Sequence, residues 1–576
     1  MQKFLPFLQW LPNYKKIYFL KDLVAGFTVG IILVPQGMAY AMIAGLPPVY
    51  GLYASVFPLL VYVFLGTSRQ LAIGPAAMDS LLVALGLGAL TIASEASYIA
   101  MAIFLSFMVG VVQLFLGIFR IGFLANFLSK SVINGFTAAA ALIIVFSQLK
   151  HLLGVAIERS NKFHELIINA VEHISETNMY DFALGILGML AIIGLKKWNR
   201  KIPSILLVVV GAILAVYFLN LESYGVEIVG KIPAGLPTFQ IPDIDLESTR
   251  MLWPMALTLA LIGYLEAISI GKAMQEKEGH ETIDVNQELI ALGTSNLVGS
   301  FFQSYPVTGS FSRSAISGEA GTRTNLSALF TVALVVLTLL FLTPLFYYLP
   351  KAVLASIIMV AVIGLIDLSY AKKLWKDQRD EFVIWSITFL ITLFIGIPQG
   401  IVLGVLLSLL IMVYRSSKPN FVALGKIKGS DYYKNVERFG DEVIVRDDLL
   451  IVRFDAQLYF GNAAFFKKRL LKYINEKEDR LKGVILNADA IHYIDTSGAQ
   501  VLIKIIKQVR KRDLKFYISG AIGPTRDMIF NSEIINELHE NSLFATMSEA
   551  VAHFDDPHST SAALLKVANQ NLTKGS

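Results

Sequence analysis

Apolar residues along this chain gather into long runs rather than into stripes with a helical or strand period. A membrane-crossing helix needs about 20 predominantly apolar residues. Runs that fit lie near 23–44, 50–66, 98–118, 132–149, 180–195, 202–220, 252–271, 324–346, 351–366, 381–397 and 398–414. Shorter or more polar runs at 75–90, 287–302 and 307–318 bring the expected total to about fourteen. After Tyr414 the pattern changes. Strand-like runs at 443–454, 482–489 and 515–519 alternate with helices such as 498–512. There Val501, Leu502, Ile505, Ile506 and Val509 share one face, opposite a row of Lys and Arg. The division that follows is a cytoplasmic N-terminal segment (1–20), a transmembrane transport domain (21–415), a charged linker (416–440), a soluble α/β domain (441–556) and a disordered tail (557–576).

Composition agrees with the runs. The chain is 55% hydrophobic and only 16% charged, where a soluble protein averages about 25% charged. Charge also orients the spans. With the N-terminus inside, loops after even-numbered spans carry Arg69, then Arg120 and Lys130, then KKWNRK at 196–201, then YAKKLWKDQR at 370–379. The opposite loops at 45–48, 88–97 and 397–400 are poor in Lys and Arg, and 221–250 leans acidic. This positive-inside bias puts both termini in the cytoplasm of a plasma (inner) membrane protein. The first residues do not read as a signal peptide, since Pro6, Trp10 and Pro12 cut the apolar run. Lys15, Lys16 and Lys21 suit an interfacial entry instead.

Several chemistries are absent. There is no cysteine, hence no disulfide, thiol nucleophile or cysteine-ligated metal, and the 8 histidines show no ligand spacing. No nucleophile–base pair or phosphate loop is present, so no enzyme activity, cofactor or metal is expected. The basic residues sit in short loops beside apolar spans, which gives no nucleic-acid surface.

Two spans are broken. Residues 70–82, QLAIGPAAMDSLL, place Gly74-Pro75 where a helix begins in mid-membrane. Proline suits a first helical turn because its missing N–H is unneeded there. The amides of Ala76 and Ala77 then point into the membrane unpaired. Residues 306–314, PVTGSFSRS, repeat the device and offer amides near Phe311, Ser312 and Arg313. Irregular backbone at membrane depth survives only where it lines a cavity or is buried in protein. Facing half-helix N-termini concentrate partial positive charge, which suits an anion. One break in each half points to an inverted repeat around a midplane site. Beside the breaks lie two charges, Glu266 and Arg313, each costing at least about 2.5 kcal/mol at the bilayer centre. Blander readings stand beside these. A Gly-Pro break also kinks a helix. Arg313 also reads as a structural partner of Glu266 or of a carbonyl, and Asp79 as a solvated cap. Gln36, after Pro35, reads as cavity lining or as glue between helices. Tyr40, one turn on, reads as lining or as core packing.

The stretch 33–75, LVPQGMAYAMIAGLPPVYGLYASVFPLLVYVFLGTSRQLAIGP, resembles the opening signature of the SulP family, the sulfate permease and prestin family of anion transporters. So does 284–316, DVNQELIALGTSNLVGSFFQSYPVTGSFSRSAI. The soluble part resembles the STAS domain, with DTSG at 495–498 as its marker turn. The resemblance implies a polytopic α-helical fold of fourteen helices, a seven-plus-seven inverted repeat like that of uracil permease, with two half-helices and a cytoplasmic STAS domain. It implies elevator motion and a homodimer. Its anion pocket falls on Gln36, Tyr40, Ala76, Ala77, Ser312 and Arg313, and its ion-coupling acid on Glu266. The Glu–Arg pair looks like that of proton-coupled sulfate and dicarboxylate carriers. In related anti-sigma-factor antagonists the serine at the position of Ser497 is phosphorylated, which makes Ser497 a regulatory candidate, while Asp495, Thr496 and Ser497 are also ordinary helix caps.

The expected function is secondary active transport of a small oxyanion, proton-coupled sulfate uptake first. A sodium-coupled bicarbonate or dicarboxylate carrier, an uncoupled exchanger or channel, a nucleobase carrier of the same fold, and a membrane-tethered STAS signalling protein are the alternatives. The expected partners are the anion, a coupling proton or sodium ion, the lipid bilayer, a second copy of the chain, and a cytoplasmic partner of the STAS domain.

Overall fold

In a hydrocarbon layer every backbone polar group must be satisfied internally, so apolar runs of this length coil into helices. The computed structural model describes residues 5–558 except 89, 91, 93, 124–128, 156–162, 200–202, 244, 279–282, 478, 479, 539 and 540. It has two units, Met1–Ser408 and Leu409–Ser576.

The principal helices of the first unit are α1 (Lys16–Ile43), α2 (Pro48–Tyr53), α3 (Phe57–Leu65), α4 (Ala77–Gly88), α5 (Glu95–Ile118), α6 (Lys130–Ser147), α7 (Met179–Trp198) and α8 (Ser204–Leu219). They continue with α9 (Leu246–Glu278), α10 (Val285–Ser300), α11 (Phe311–Glu319), α12 (Leu326–Leu337), α13 (Lys351–Ile363) and α14 (Arg379–Phe394), and α15 (Ile397–Ser417) runs across the boundary between the units. Each of the expected spans falls on helix, although 324–346 is α only to Leu337 and then passes into π and 3-10 turns to Phe346. The run 50–66 is two helices, because Pro58 restarts the helix after the turn at Ala54–Val56. Among the described residues, 9 helical stretches are long and apolar enough to cross a membrane, and α4 and α8 are shorter apolar helices.

The two sequence halves interlock. Helix α5 of the first lies directly against α10 of the second. A side chain at Gly110 or Gly293 would strike the backbone of Leu297 or Leu114, so the absence of a Cβ lets the two backbones touch. Two buried carboxylates complete the link. Asp22 on α1 accepts from the amides of Arg323 (2.7 Å) and Thr324 (3.1 Å) and from the Thr324 hydroxyl (2.6 Å). Glu288 on α10 accepts from the Thr67 amide (2.6 Å), the Ser68 amide (3.0 Å) and the Tyr62 hydroxyl (2.9 Å). Each acid caps a loop contributed by the other half. Removing a buried acceptor strands its donors at about 1–3 kcal/mol each. Glu288→Ala is therefore expected to destabilise the protein by about 3 kcal/mol. The check is the thermal denaturation midpoint in detergent. An unchanged midpoint would mean that the clamp carries no stability.

The second unit holds a seven-stranded sheet. Its strands are β3 (Phe421–Ile427), β4 (Tyr433–Asn435), β5 (Val443–Ile444), β6 (Leu449–Phe454), β7 (Gly483–Asn487), β8 (Lys515–Ser519) and β9 (Leu543–Phe544); β1 and β2 belong to the first unit and are described below. The order is β4-β3-β6-β7-β8-β9, with β5 also pairing β3. Strands β6 to β9 are parallel and β3 runs antiparallel to β6. The central runs LLIVRF and GVILN are almost wholly apolar, as strands covered on both faces must be. Helix Thr496–Arg510 buries Ala499, Leu502, Ile505, Ile506 and Val509.

The expected linker is corrected here. Residues 421–427 and 433–435, inside 416–440, are strands of the sheet, with Phe421 opposite Phe454 and Leu424 opposite Ile451. Of the tail, residues 559–576 lie outside the described residues.

Candidate functional site

The two breaks meet. Ile73–Gly74 (β1) and Thr308–Gly309 (β2) pair antiparallel, Ile73 opposite Gly309 and Gly74 opposite Thr308. The Ser310 amide donates to the Ala72 carbonyl (3.0 Å) and the Ala72 amide to the Ser314 hydroxyl (2.9 Å). From this short crossing α4 and α11 depart. Proline at 75 and glycines at 74 and 309 stop regular helix, and the strand pairing satisfies the backbone that helix no longer can.

The first helical bonds close late. They run from the Ser80 amide to the Ala76 carbonyl (3.0 Å) and from the Ser314 amide to the Ser310 carbonyl (2.9 Å). The preceding amides, from Ala77 on α4 and from Phe311, Ser312 and Arg313 on α11, form the open N-termini of two half-helices.

Arg313 lies in the first turn of α11, is 0% exposed, and its Nε, Nη1 and Nη2 have no hydrogen-bond partner among the described residues. The break in the first half sits against it. Gly74 has φ +138°, a conformation few side chains adopt, and a Cβ there would stand 3.4 Å from Arg313 Nη2. Tyr40 and Glu266 both lie within electrostatic range of this guanidinium, and Glu266 Oε2 is buried without a partner. Among the described residues no ion pair or hydrogen bond joins Arg313 to Glu266 or to a carbonyl, so a bonded structural partner for it is not seen. Gln36 is buried one turn before Tyr40, with Oε1 unpartnered. Ala76 and Ala77 are buried at the start of α4. Ser312 is half-buried, its hydroxyl 3.4 Å from that of Ser310.

Residues left open or unmentioned in the sequence also line the site. Asp79 is 2% exposed, and its Oδ2 has no partner. A Cβ on Gly263, one turn before Glu266, would stand 3.5 Å from Asp79 Oδ1. That places Asp79 against α9 rather than in solvent. The Tyr305 hydroxyl shares a hydrogen bond with Ser80 (3.0 Å), across the two breaks. Asn296 holds the unwound segment from both sides. It accepts from the Val307 amide (2.8 Å), donates to the Val307 carbonyl (3.0 Å) and donates to Gln113 (3.1 Å). Gln113 in turn donates to the Ala260 carbonyl (3.1 Å), and the Thr308 hydroxyl donates to the Gly263 carbonyl (2.7 Å).

Chemically this is a binding site. It offers a forked cation, two sets of open amides, hydroxyls and two carboxylates. Guanidinium geometry matches the oxygens of planar or tetrahedral oxyanions. In the second unit Asp495, not Ser497, caps the helix at the DTSG turn, accepting from the Gly498 amide (2.7 Å) and from the Phe460 amide (2.9 Å). Ser497 is half-buried in the first turn.

Residues 19–388 match the Sulfate permease family and residues 442–550 match the STAS domain. Sulfate transporter 4.1, chloroplastic, of Arabidopsis thaliana is 37% identical over 565 residues, covering 95% of this chain and 82% of that protein. Probable sulfate transporter Rv1739c of Mycobacterium tuberculosis (strain ATCC 25618 / H37Rv) is 30% identical, covering 95% and 98%. Among solved structures, that of the murine Solute Carrier 26 family member A9 anion transporter in the inward-facing state superposes with a TM-score of 0.87 at 28% identity, covering 95% of this chain and 93% of that one.

Proposed function

Because this chain belongs to the Sulfate permease family, whose members are transporters rather than enzymes, we propose that it is a secondary active transporter that carries sulfate with protons. The observation that carries this reading is Arg313, a fully buried guanidinium with no hydrogen-bond partner among the described residues, set beside two half-helix N-termini. An unpaired buried charge is strongly unfavourable in a folded protein. A dianion seated there would pair it, with further hydrogen bonds from the open amides and from Ser312, Tyr40 and Gln36.

Glu266 supplies the coupling in this reading. Its ionised form repels the anion and its protonated form does not, so proton and anion favour each other's binding, reciprocally. Residues of the site come from α1, α4, α9 and α11. Within this set the Asp22 clamp ties α1 to the loop after α11, and the β1–β2 pair ties the starts of α4 and α11. None comes from α6–α8 or α13–α15. That partition supports an elevator in which the first set moves as a body against the second. Cytoplasmic termini, a homodimeric state and a cytoplasmic partner for the STAS domain belong to the same proposal.

The test is uptake of labelled sulfate, bicarbonate and fumarate into proteoliposomes under imposed proton or sodium gradients. Sulfate accumulation driven by an inward proton gradient is expected. Sodium-driven bicarbonate uptake without sulfate uptake would overturn the reading.

A further inference from the structure

The transport site sets two carboxylates against one cation. Its charged groups are Arg313, Glu266 and Asp79, all inside the first unit and close to the two breaks. We propose that Asp79 is a second proton-carrying carboxylate of this site, so that each sulfate crosses with two protons. The proposal rests on the sulfate–proton reading above.

The argument begins with placement. Asp79 lies in the first turn of α4, an open half-helix end, and is 2% exposed. Among the described residues its Oδ2 has no partner, and it makes no ion pair with Arg313, whose three nitrogens are also unpartnered. Four principal helices pack on α4, namely α1, α5, α6 and α9. From α9 comes Glu266, which interacts electrostatically with Asp79, and from α1 comes Tyr40, which interacts with Arg313 and Glu266. Helix α5 carries only Glu95 and Tyr98, both in its first turn, and α6 only Lys130, at its start. Tyr305, ahead of β2, interacts with Asp79 and Arg313 alike. Among these groups Arg313 is the one cation; Glu266 interacts with it and with Asp79, and Asp79 meets Glu266 and Tyr305.

The charge count gives the rest. With both carboxylates ionised the three groups sum to a net negative charge, which repels a dianion. Protonating one leaves them neutral. Protonating both leaves the guanidinium's positive charge uncancelled. Sulfate has acceptors only. A protonated carboxyl donates a hydrogen bond to it, whereas an ionised one cannot. Two protonations thus precede tight loading from one side, and both protons leave with the anion on the other. Two protons with one dianion move no net charge, so the cycle of the wild type is electroneutral.

Asp79→Asn keeps the shape and removes the titration. The experiment uses the full chain in proteoliposomes, with radiolabelled sulfate, an internal pH dye and a clamped membrane potential. In the wild type, an inward gradient of one pH unit should accumulate sulfate to a limit of about 100-fold, independent of potential. In Asp79→Asn the limit should fall to about tenfold at zero potential. It should fall by about another tenfold at roughly 60 mV inside-negative, because the cycle now moves charge. Asp79→Glu should restore independence from potential. A wild-type stoichiometry of one proton per sulfate overturns the proposal without any variant, as does an Asp79→Asn protein that still moves two. Sodium replacing protons in the wild type would assign the two carboxylates to a cation and overturn it too. No wild-type sulfate uptake under any gradient would instead overturn the proposed function, and this inference with it.

Discussion

Arg313→Ala is expected to lower sulfate affinity at least about 100-fold, roughly 2.7 kcal/mol, without unfolding the protein. The two halves of this expectation have separate causes. The loss follows from removing a bidentate, charge-assisted donor in a water-poor site, where such bonds are worth about 1.5–3 kcal/mol each. The survival follows from what Arg313 does not touch. Its three nitrogens bond to no described residue. Deleting it breaks no protein contact of those atoms and relieves an unpaired buried charge. The denaturation midpoint without sulfate should therefore hold or rise. The stabilisation that added sulfate gives the wild type, through binding the folded state alone, should vanish. A structural role would produce the opposite pair, a lower midpoint with the sulfate shift intact. Arg313→Lys should recover part of the affinity, since charge returns but the planar fork does not.

The breaks were legible because Gly and Pro interrupt apolar runs, and two such breaks beside the mid-span charges Glu266 and Arg313 are more than helix kinks account for. Their mutual pairing was not. Two residues on each side, Ile73–Gly74 and Thr308–Gly309, carry no strand period. Arg313 and Glu266 stood out as charges in mid-span. Asp79 did not, since a carboxylate one turn into a helix is also the commonest of caps. Only its burial against Gly263 separates the two readings. Asp22 and Glu288 were hidden for a related reason. Both lie near the ends of spans, where charged residues ordinarily meet water, and nothing local distinguishes a clamp from a solvated side chain. In the soluble unit the strands at 483–487 and 515–519 were legible from their short apolar cores, VIL and FYI. The run at 421–427 was not, because its apolar stretch FVAL is cut short by Gly425 and Lys426 and is followed by a charged, glycine-containing turn. The helix at the DTSG turn was legible, but its three candidate caps were equivalent in sequence. Geometry selects Asp495, whose second oxygen also holds the Phe460 amide.

Glu266→Gln should uncouple sulfate movement from protons at this position while leaving the site able to exchange sulfate for sulfate. Glutamine reproduces the size and the hydrogen-bond donor of the protonated acid but never ionises. The variant is thus held in the form that admits the anion, on both sides of the membrane. With the charge of Glu266 gone, a pH difference no longer changes the affinity through this residue, and the reciprocal pull of sulfate on its proton disappears as well. Under an inward gradient of one pH unit the accumulation limit should fall by at least about tenfold. The depth of the fall also reads the site's other carboxylate. If Asp79 carries a proton of its own, a residual, potential-sensitive accumulation of about tenfold persists. If Glu266 carries the only one, accumulation above the external concentration is lost entirely. Exchange with sulfate at equal concentration on both sides needs no coupling ion, and it should continue in either case. Undiminished proton-driven accumulation in Glu266→Gln would remove Glu266 from the coupling mechanism. Loss of exchange as well would mean that the carboxylate instead holds α9 against the two half-helices, because a residue acting only through its titration has no reason to stop a cycle that moves no protons.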